Sequence, residues 1–411
     1  MSYYLLPSNT NMVQIKPPDM PYTTPIPYNL YWNMFLYKYS IQPVISQSLY
    51  FYYITIKNQL LRVQPIDPPR AVAVGTRPME MPAASIQSSA AAAIQEDRFN
   101  NIIKMVHPFE QIHTIMPPPR IAPTAPPGLM PTQQAAVQYT PIFYDMLEVV
   151  YTLNLMSGYA NLPFIKAIHI GNKSVENYQY LSYIRDNPAD KHFYFHENIN
   201  TFLNYSFHYI FYDIDTIADI NELNIKNYII QFVKIILFVL KCQMADGVCV
   251  IKLTHIFHKP IIDLVYMLTI LYDKVVIIKP STSNVISFDK YLVCRGFVGS
   301  KNADQYYTDL NNWLNYFMTN NNDIISTMIN EKRDTGEELS PIYNQIPLYF
   351  MNKLNDINII LGQKQLDALD QLIYVLKNKH KDEKMELLRK QNIQKCVMWC
   401  KKYRLPFYEG A

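Results

Sequence analysis

The chain has 411 residues, of which 49% are hydrophobic and 17% charged, and that length allows two or three domains with a real core. A formal net charge of +3 does not by itself mark a nucleic-acid binder; local clusters would have to do that. Five cysteines, unevenly spaced, exclude a disulfide framework and point to reduced thiols in a cytoplasmic setting.

The first residues, MSYYLLPSNTNM, have no basic segment and no apolar core long enough for a signal peptide. The most apolar window, Tyr228 to Leu240, is interrupted by Gln231 and Lys234 and ended by Lys241. It reads as a buried amphipathic helix rather than a membrane span. The abundance of Tyr, Asn, Ile and Lys is what an AT-rich genome encodes. It points to a large DNA virus, and so to host cytoplasm or the virion.

Residues 1–66 form a small N-terminal module rich in Tyr, Pro and Ile, with an element at Tyr28 to Tyr39 and another at Gln47 to Val63. The alternation in SLYFYYITIKNQLLRV does not choose between strand and helix. Residues 67–138 are a Pro/Ala-rich linker or arm that buries little. Within it, Asp97 to His113 can form a short helix that His107-Pro108 stops.

From 139 to 300 the pattern alternates. Helices are expected at Pro141 to Met156, Ser174 to Arg185, Asn224 to Lys241 and Ile261 to Tyr272. Strands are expected at Phe164 to Ile170, Lys191 to Phe195, Tyr205 to Tyr212, Val248 to Leu253, Val275 to Ile278 and Lys290 to Cys294. Such alternation predicts an α/β domain with a mostly parallel sheet covered on both faces. Residues 301–411 read as a helical extension, Asp304 to Met328 and Lys364 to Tyr403. Its end, Lys377 to Arg404, is locally basic with Trp399 and Tyr403 interspersed, which suits either a solvated helix face or an RNA-facing patch.

In open α/β sheets ligands bind beyond the carboxyl ends of the strands. Asp213 follows the strand YSFHYIFY, Lys252 ends VCVIKL, and Asp289 begins DKYLV. Converging on one crevice, they make a lysine held between carboxylates.

The stretch Asp246-Gly247 to Lys252, the turn Lys279-Pro280-Ser281-Thr282-Ser283-Asn284, and Ser287-Phe288-Asp289-Lys290-Tyr291 resemble the FtsJ-like RNA ribose 2′-O-methyltransferases. The resemblance spans about Tyr139 to Ser300. It implies a Rossmann-like methyltransferase sheet, S-adenosylmethionine as cofactor and RNA, with capped mRNA foremost, as substrate. Carried over residue by residue, it makes Asp213, Lys252 and Asp289 catalytic, with Asp215 the alternative to Asp213. Asp289 stands where the family has Glu. Gly171, Asn172, Ser174 and Glu197 become the cofactor contacts, and Lys279, Ser281 and Ser283 the RNA contacts.

Two departures accompany the match. The helix PIFYDMLEVVYTL contains no lysine where the family's first tetrad lysine belongs, and Lys166 lies in the following strand. Of the family's three loop glycines only Gly171 remains, in Ile168-His169-Ile170-Gly171-Asn172-Lys173-Ser174. An active methyltransferase and a methyltransferase-like RNA-binding or assembly subunit, partnered through the Pro-rich arm, therefore both stand. His255 and His258 read as surface or groove histidines without a third metal ligand, and Cys396 and Cys400 as buried thiols.

Overall fold

The computed structural model describes residues 2–7, 43–63, 106–116, 139–171, 177–195, 205–214, 222–299, 303–319, 346–377 and 382–408. The expected element at Tyr28 to Tyr39 lies outside them, as do Asn172, Ser174, Glu197 and Asp215. So do residues 97–105 of the expected short helix and residues 320–328 of the Asp304 to Met328 helix.

The elements in chain order are β1 (Ser2–Leu5), α1 (Gln47–Val63), α2 (Pro141–Leu153), β2 (Lys166–Ile170), α3 (Gln179–Arg185), β3 (Lys191–Phe195) and β4 (Phe207–Asp213). Then come α4 (Glu222–Cys242), β5 (Gln243–Leu253), α5 (Lys259–Leu271), β6 (Tyr272–Lys279), β7 (Lys290–Phe297), α6 (Ala303–Thr319), α7 (Leu348–Lys377) and α8 (Asp382–Lys402). Helix ends at Val106, His107 is extended as expected, and a new 3-10 turn at Pro108–Gln111 leads into a helical turn at Ile112–Ile115.

The seven strands form one mixed sheet in the order β1-β6-β7-β5-β4-β2-β3. β3-β2, β2-β4 and β4-β5 pair in parallel, while β7 runs antiparallel to both β5 and β6, and β1 antiparallel to β6. The expectation of a mostly parallel sheet thus holds for strand direction but not for pairing. β2 to β6 all point one way, and β7 inserts between β5 and β6 with the opposite sense. The short turn from Pro280 to Asp289 dictates this: β6 and β7 are joined without a crossover helix, so they can only meet antiparallel.

The central strands are buried on both faces, as parallel strands under two helical layers must be. α4 and α5 pack against β4–β5 and β6–β7 respectively. α2 and α3 lie together on the face carrying Tyr209 and Phe211 of β4, where Tyr180 of α3 donates to the Tyr209 hydroxyl at 2.9 Å. α2 starts cleanly: Thr140 caps it by accepting from the Phe143 amide at 3.3 Å, Pro141 occupies the first turn, and Asn154 ends it in the left-handed region.

The chain divides into two compact units. The first, residues 1–47, 119–283 and 287–359, holds the whole sheet. The second, residues 48–118, 284–286 and 360–411, is helical. In it Cys396 of α8 donates its thiol to the Pro108 carbonyl, and Trp399 meets Phe109 edge-on at 6.2 Å. Trp399 and Tyr403 are therefore buried packing residues. All five cysteines are free thiols in buried positions.

Candidate functional site

The order of strands fixes where a ligand crevice opens. From β2 the chain moves outward to β3, then returns to lay β4 on the other side of β2. The strand order reverses between β2 and β4, and their carboxyl ends are Ile170 and Asp213. Gly171 follows at once, with φ +138°, and a Cβ there would lie 2.7 Å from the Asp213 carbonyl oxygen. Glycine is required at this point because the two strand ends press backbone to backbone.

Sheet register brings three side chains into line. Asp213 of β4 is the direct partner of Lys252 of β5, and Lys252 is the direct partner of Tyr291 of β7. Direct partners project to the same face, so carboxylate, ammonium and phenol stand side by side at the end of the sheet. Lys252 Nζ reaches Asp213 Oδ1 at 3.2 Å, with side chains only 16% and 12% exposed. Burial alone would lower the Lys252 pKa. The carboxylates of Asp289, Asp213 and Asp145 outweigh it and hold the ammonium above its ordinary value. The structure thus gathers the sequence-expected trio around one cation, with Asp289 acting through its charge from the start of β7.

Asp145 was not among the expected residues. Together with Glu148 it comes from α2, the helix in which the resemblance calls for a lysine. The two are three residues apart, so they share a helix face, and both are buried, at 6% and 1% exposure. Asp145 Oδ1 accepts from the Thr282 hydroxyl at 2.5 Å and Oδ2 from the Tyr291 hydroxyl at 2.9 Å. Glu148 accepts from the Ser281 hydroxyl at 2.7 Å and the Ser281 amide at 3.0 Å. Burial pushes the Asp145 carboxyl up to about 7, against the lowering effect of the Thr282 and Tyr291 hydroxyls and of Lys252. The signal in the sequence was a pair of acids at i and i+3 in an otherwise apolar helix.

The turn after β6 is held from inside. Lys279 donates its ammonium to the carbonyls of Ser287 and Asp289, the latter at 3.0 Å, and burial pulls its pKa down to about 8. Ser281 is tied to Glu148, while Thr282 and Ser283 are buried at 7% and 5% exposure. The three residues expected to touch RNA are thus placed as follows: Lys279 bonds carbonyls of the turn, Ser281 is bound to Glu148 of α2, and Ser283 is a buried member of the turn. Lys290, also buried, donates to the Thr254 and Phe288 carbonyls at 3.2 and 2.9 Å. Together the two lysines fix the strand that begins at Asp289.

His255 and His258 are not the surface or groove histidines that were expected. Both are fully buried, their rings 5.1 Å apart, under Tyr228 of α4 and beside Phe257. The segment leaving β5 turns inward because Tyr228 accepts from the Thr254 amide and donates to the His255 carbonyl. Among the described residues no group of three or more His, Cys, Asp or Glu is placed to hold a metal ion. No described helix is long and apolar enough to cross a membrane.

No protein-family model matches the chain. Over 78 residues it is 35% identical to the cap-specific mRNA (nucleoside-2′-O-)-methyltransferase 1 of Trypanosoma cruzi (strain CL Brener). That match covers 19% of this chain and 19% of the trypanosome protein, so the chain spans about a fifth of the length of this curated relative. The similarity supports a methyltransferase relationship, and the mixed seven-stranded sheet flanked by helices is consistent with a methyltransferase-like fold.

Proposed function

We propose that the chain is an FtsJ-like, S-adenosylmethionine-dependent RNA ribose 2′-O-methyltransferase acting on capped mRNA. The observation that carries this reading is the buried Asp213–Lys252 pair, reinforced by Asp289, at the carboxyl ends of the strands beside the β2/β4 switch point. The partial likeness to a cap methyltransferase supports it. On this reading, the Tyr-, Asn-, Ile- and Lys-rich composition suits a source among the large DNA viruses, with the protein in host cytoplasm or the virion.

The crevice fits the cofactor at the one contact that lies among the described residues. At Gly171 the strand ends are bare backbone, which permits the close approach a cofactor needs. Asn172, Ser174 and Glu197 would complete its binding. S-adenosylmethionine, when bound, supplies an electrophilic methyl that a ribose 2′-hydroxyl takes, the carbon–sulfur electron pair staying on sulfur and the hydroxyl proton leaving to water.

Lys252 is held protonated, so its part is that of a fixed cation and not of a base. It draws the hydroxyl oxygen to the end of β5 and stabilises negative charge as that charge develops. Asp213 and Asp289 prevent the ammonium from swinging away. Alignment of the hydroxyl with the methyl supplies much of the remaining rate. The anchored 281–283 turn forms one wall of the groove. The helical unit carries exposed cations of its own on α8, Arg389, Lys390, Lys395, Lys401 and Lys402, suited to phosphate contacts.

One observation favours a second reading. α2 presents Asp145 and Glu148 where the resemblance calls for a lysine. On that reading the chain is a methyltransferase-like RNA-binding or assembly subunit, tethered to a partner by its Pro-rich arm. Calorimetric titration of the whole chain with S-adenosylmethionine separates the two. Micromolar binding is expected of the enzyme; no heat from a folded sample, with RNA also supplied, decides for the subunit.

A further inference from the structure

The acid on α2 has a more specific role than filling a vacant tetrad position. Asp145 sits where three elements meet. From α2 it accepts hydrogen bonds from Thr282, in the turn after β6, and from Tyr291, on β7. Tyr291 is the cross-strand partner of Lys252, so the phenol that Asp145 holds stands next to the lysine. The charged and titratable groups facing Asp145 are Glu148 one turn along α2, Lys252 on β5, Lys279 on β6 and Tyr291 on β7. The charges of Asp213 and Asp289 also reach Tyr291.

We propose that Asp145 is a positioning residue for Lys252, fixing the Tyr291 phenol and the 281–283 turn around the ammonium and adding a third carboxylate to its cage. The geometry needs a carboxylate. Two hydroxyl donors converge on two separate oxygens, whereas an amide offers one oxygen and an NH2 group, so with Asn one hydroxyl loses its acceptor and must turn round to receive the amide N–H, moving Tyr291 or Thr282 from its present pose. The cost is high because the site is buried and both hydroxyls lose water when they enter it. With Asp145 ionised, Lys252 is surrounded by three carboxylates and is held; with Asp145 neutral, one wall of the cage is gone. Burial raises the pKa of that carboxyl to about 7, so the cage tightens as pH rises through that value.

The inference rests on the methyltransferase reading only for its kinetic consequence, so its test has two arms. In the first, the chain carries lysine labelled with 13C at Cε, and the Lys252 signal is identified by its loss in Lys252→Met. The wild-type signal is expected to show a step near pH 7, below the titration of the lysine itself. That step disappears in Asp145→Asn and moves to higher pH in Tyr291→Phe, which keeps the ring but removes one donor. A step that survives in Asp145→Asn, or no step in the wild type, overturns the proposal. If Asp145→Asn does not fold, an unmoved step in Tyr291→Phe overturns it equally.

The second arm is methyl transfer to capped RNA. Asp145→Asn is expected to lower kcat at least tenfold with the KM for RNA unchanged, and Asp145→Glu to recover part of it. Equal kcat in wild type and Asp145→Asn overturns the positioning role. A wild-type chain that shows the step but transfers no methyl refutes the enzyme reading while leaving the Asp145–Lys252 coupling in place.

Discussion

Asp213 and Lys252 are direct partners across the parallel β4–β5 ladder, and their charged atoms meet 3.2 Å apart at the ends of both strands. Because the pairing is set by backbone register, no loop has to be ordered for the two charges to find each other. Removing the cation leaves Asp213 and Asp289 facing each other's charge in a half-buried site. Lys252→Ala should therefore abolish methyl transfer, by two orders of magnitude or more, while circular dichroism still reports the native fold. Retained transfer would remove Lys252 from the chemistry.

Gly171 tests the crevice itself. Its Cβ-bearing variant Gly171→Ala would place carbon 2.7 Å from the Asp213 carbonyl oxygen at a φ that side chains rarely adopt. The expected cost is about 1–3 kcal/mol of stability, together with weaker S-adenosylmethionine binding, read by denaturant melts and calorimetry. Unchanged stability would mean that the strand ends are not pressed together.

The buried carboxyl of Asp145 gives a stability prediction with a definite sign. Its folded pKa, about 7, lies above the ordinary aspartate value of 3.8, so the folded state holds the proton more tightly between those pH values. The contribution of this group to stability is greatest below the unfolded pKa and is lost as pH rises through about 7. Asp145→Asn should therefore gain on the wild type between pH 4 and pH 7, by up to about 1.4 kcal/mol per pH unit. Urea melts across that range measure it, and a difference that does not vary with pH would contradict the assignment.

On α8, the cations Lys395, Lys401 and Lys402 are exposed while Trp399 and Tyr403 are packed inside. Any RNA contact there is electrostatic, not stacking. Replacing these three lysines with alanine should flatten the slope of log affinity against log salt by about 2, roughly 0.7 per single-strand phosphate contact. An unchanged slope would exclude this face as the contact surface.

The sequence showed the helices and strands of the α/β region because each carries a clear period and a change of residue type at its end; Gly171 after β2 and Asp213 at the end of β4 are examples. β1 was missed. Its four residues, SYYL, have no periodicity to read and are a strand only because the edge of β6 accepts them. The charges at strand ends were legible as well, since position along a strand already implies position in the crevice. Asp145 and Glu148 were not, because within α2 they look like the polar positions of an amphipathic helix. Only the fold of residues 281–282 back onto α2 gives them partners. Lys279 is a similar case: at the end of β6 it reads either as a phosphate contact or as part of the turn, and only the fold brings the Ser287 and Asp289 carbonyls onto it.

The most direct test supplies the whole chain with labelled S-adenosylmethionine and capped RNA, then digests the RNA and identifies the methylated nucleotide. The account predicts label on a ribose 2′-oxygen with the wild type and none with Lys252→Ala. Label equal in both, label on a base, or none from a wild type that binds the cofactor would contradict it.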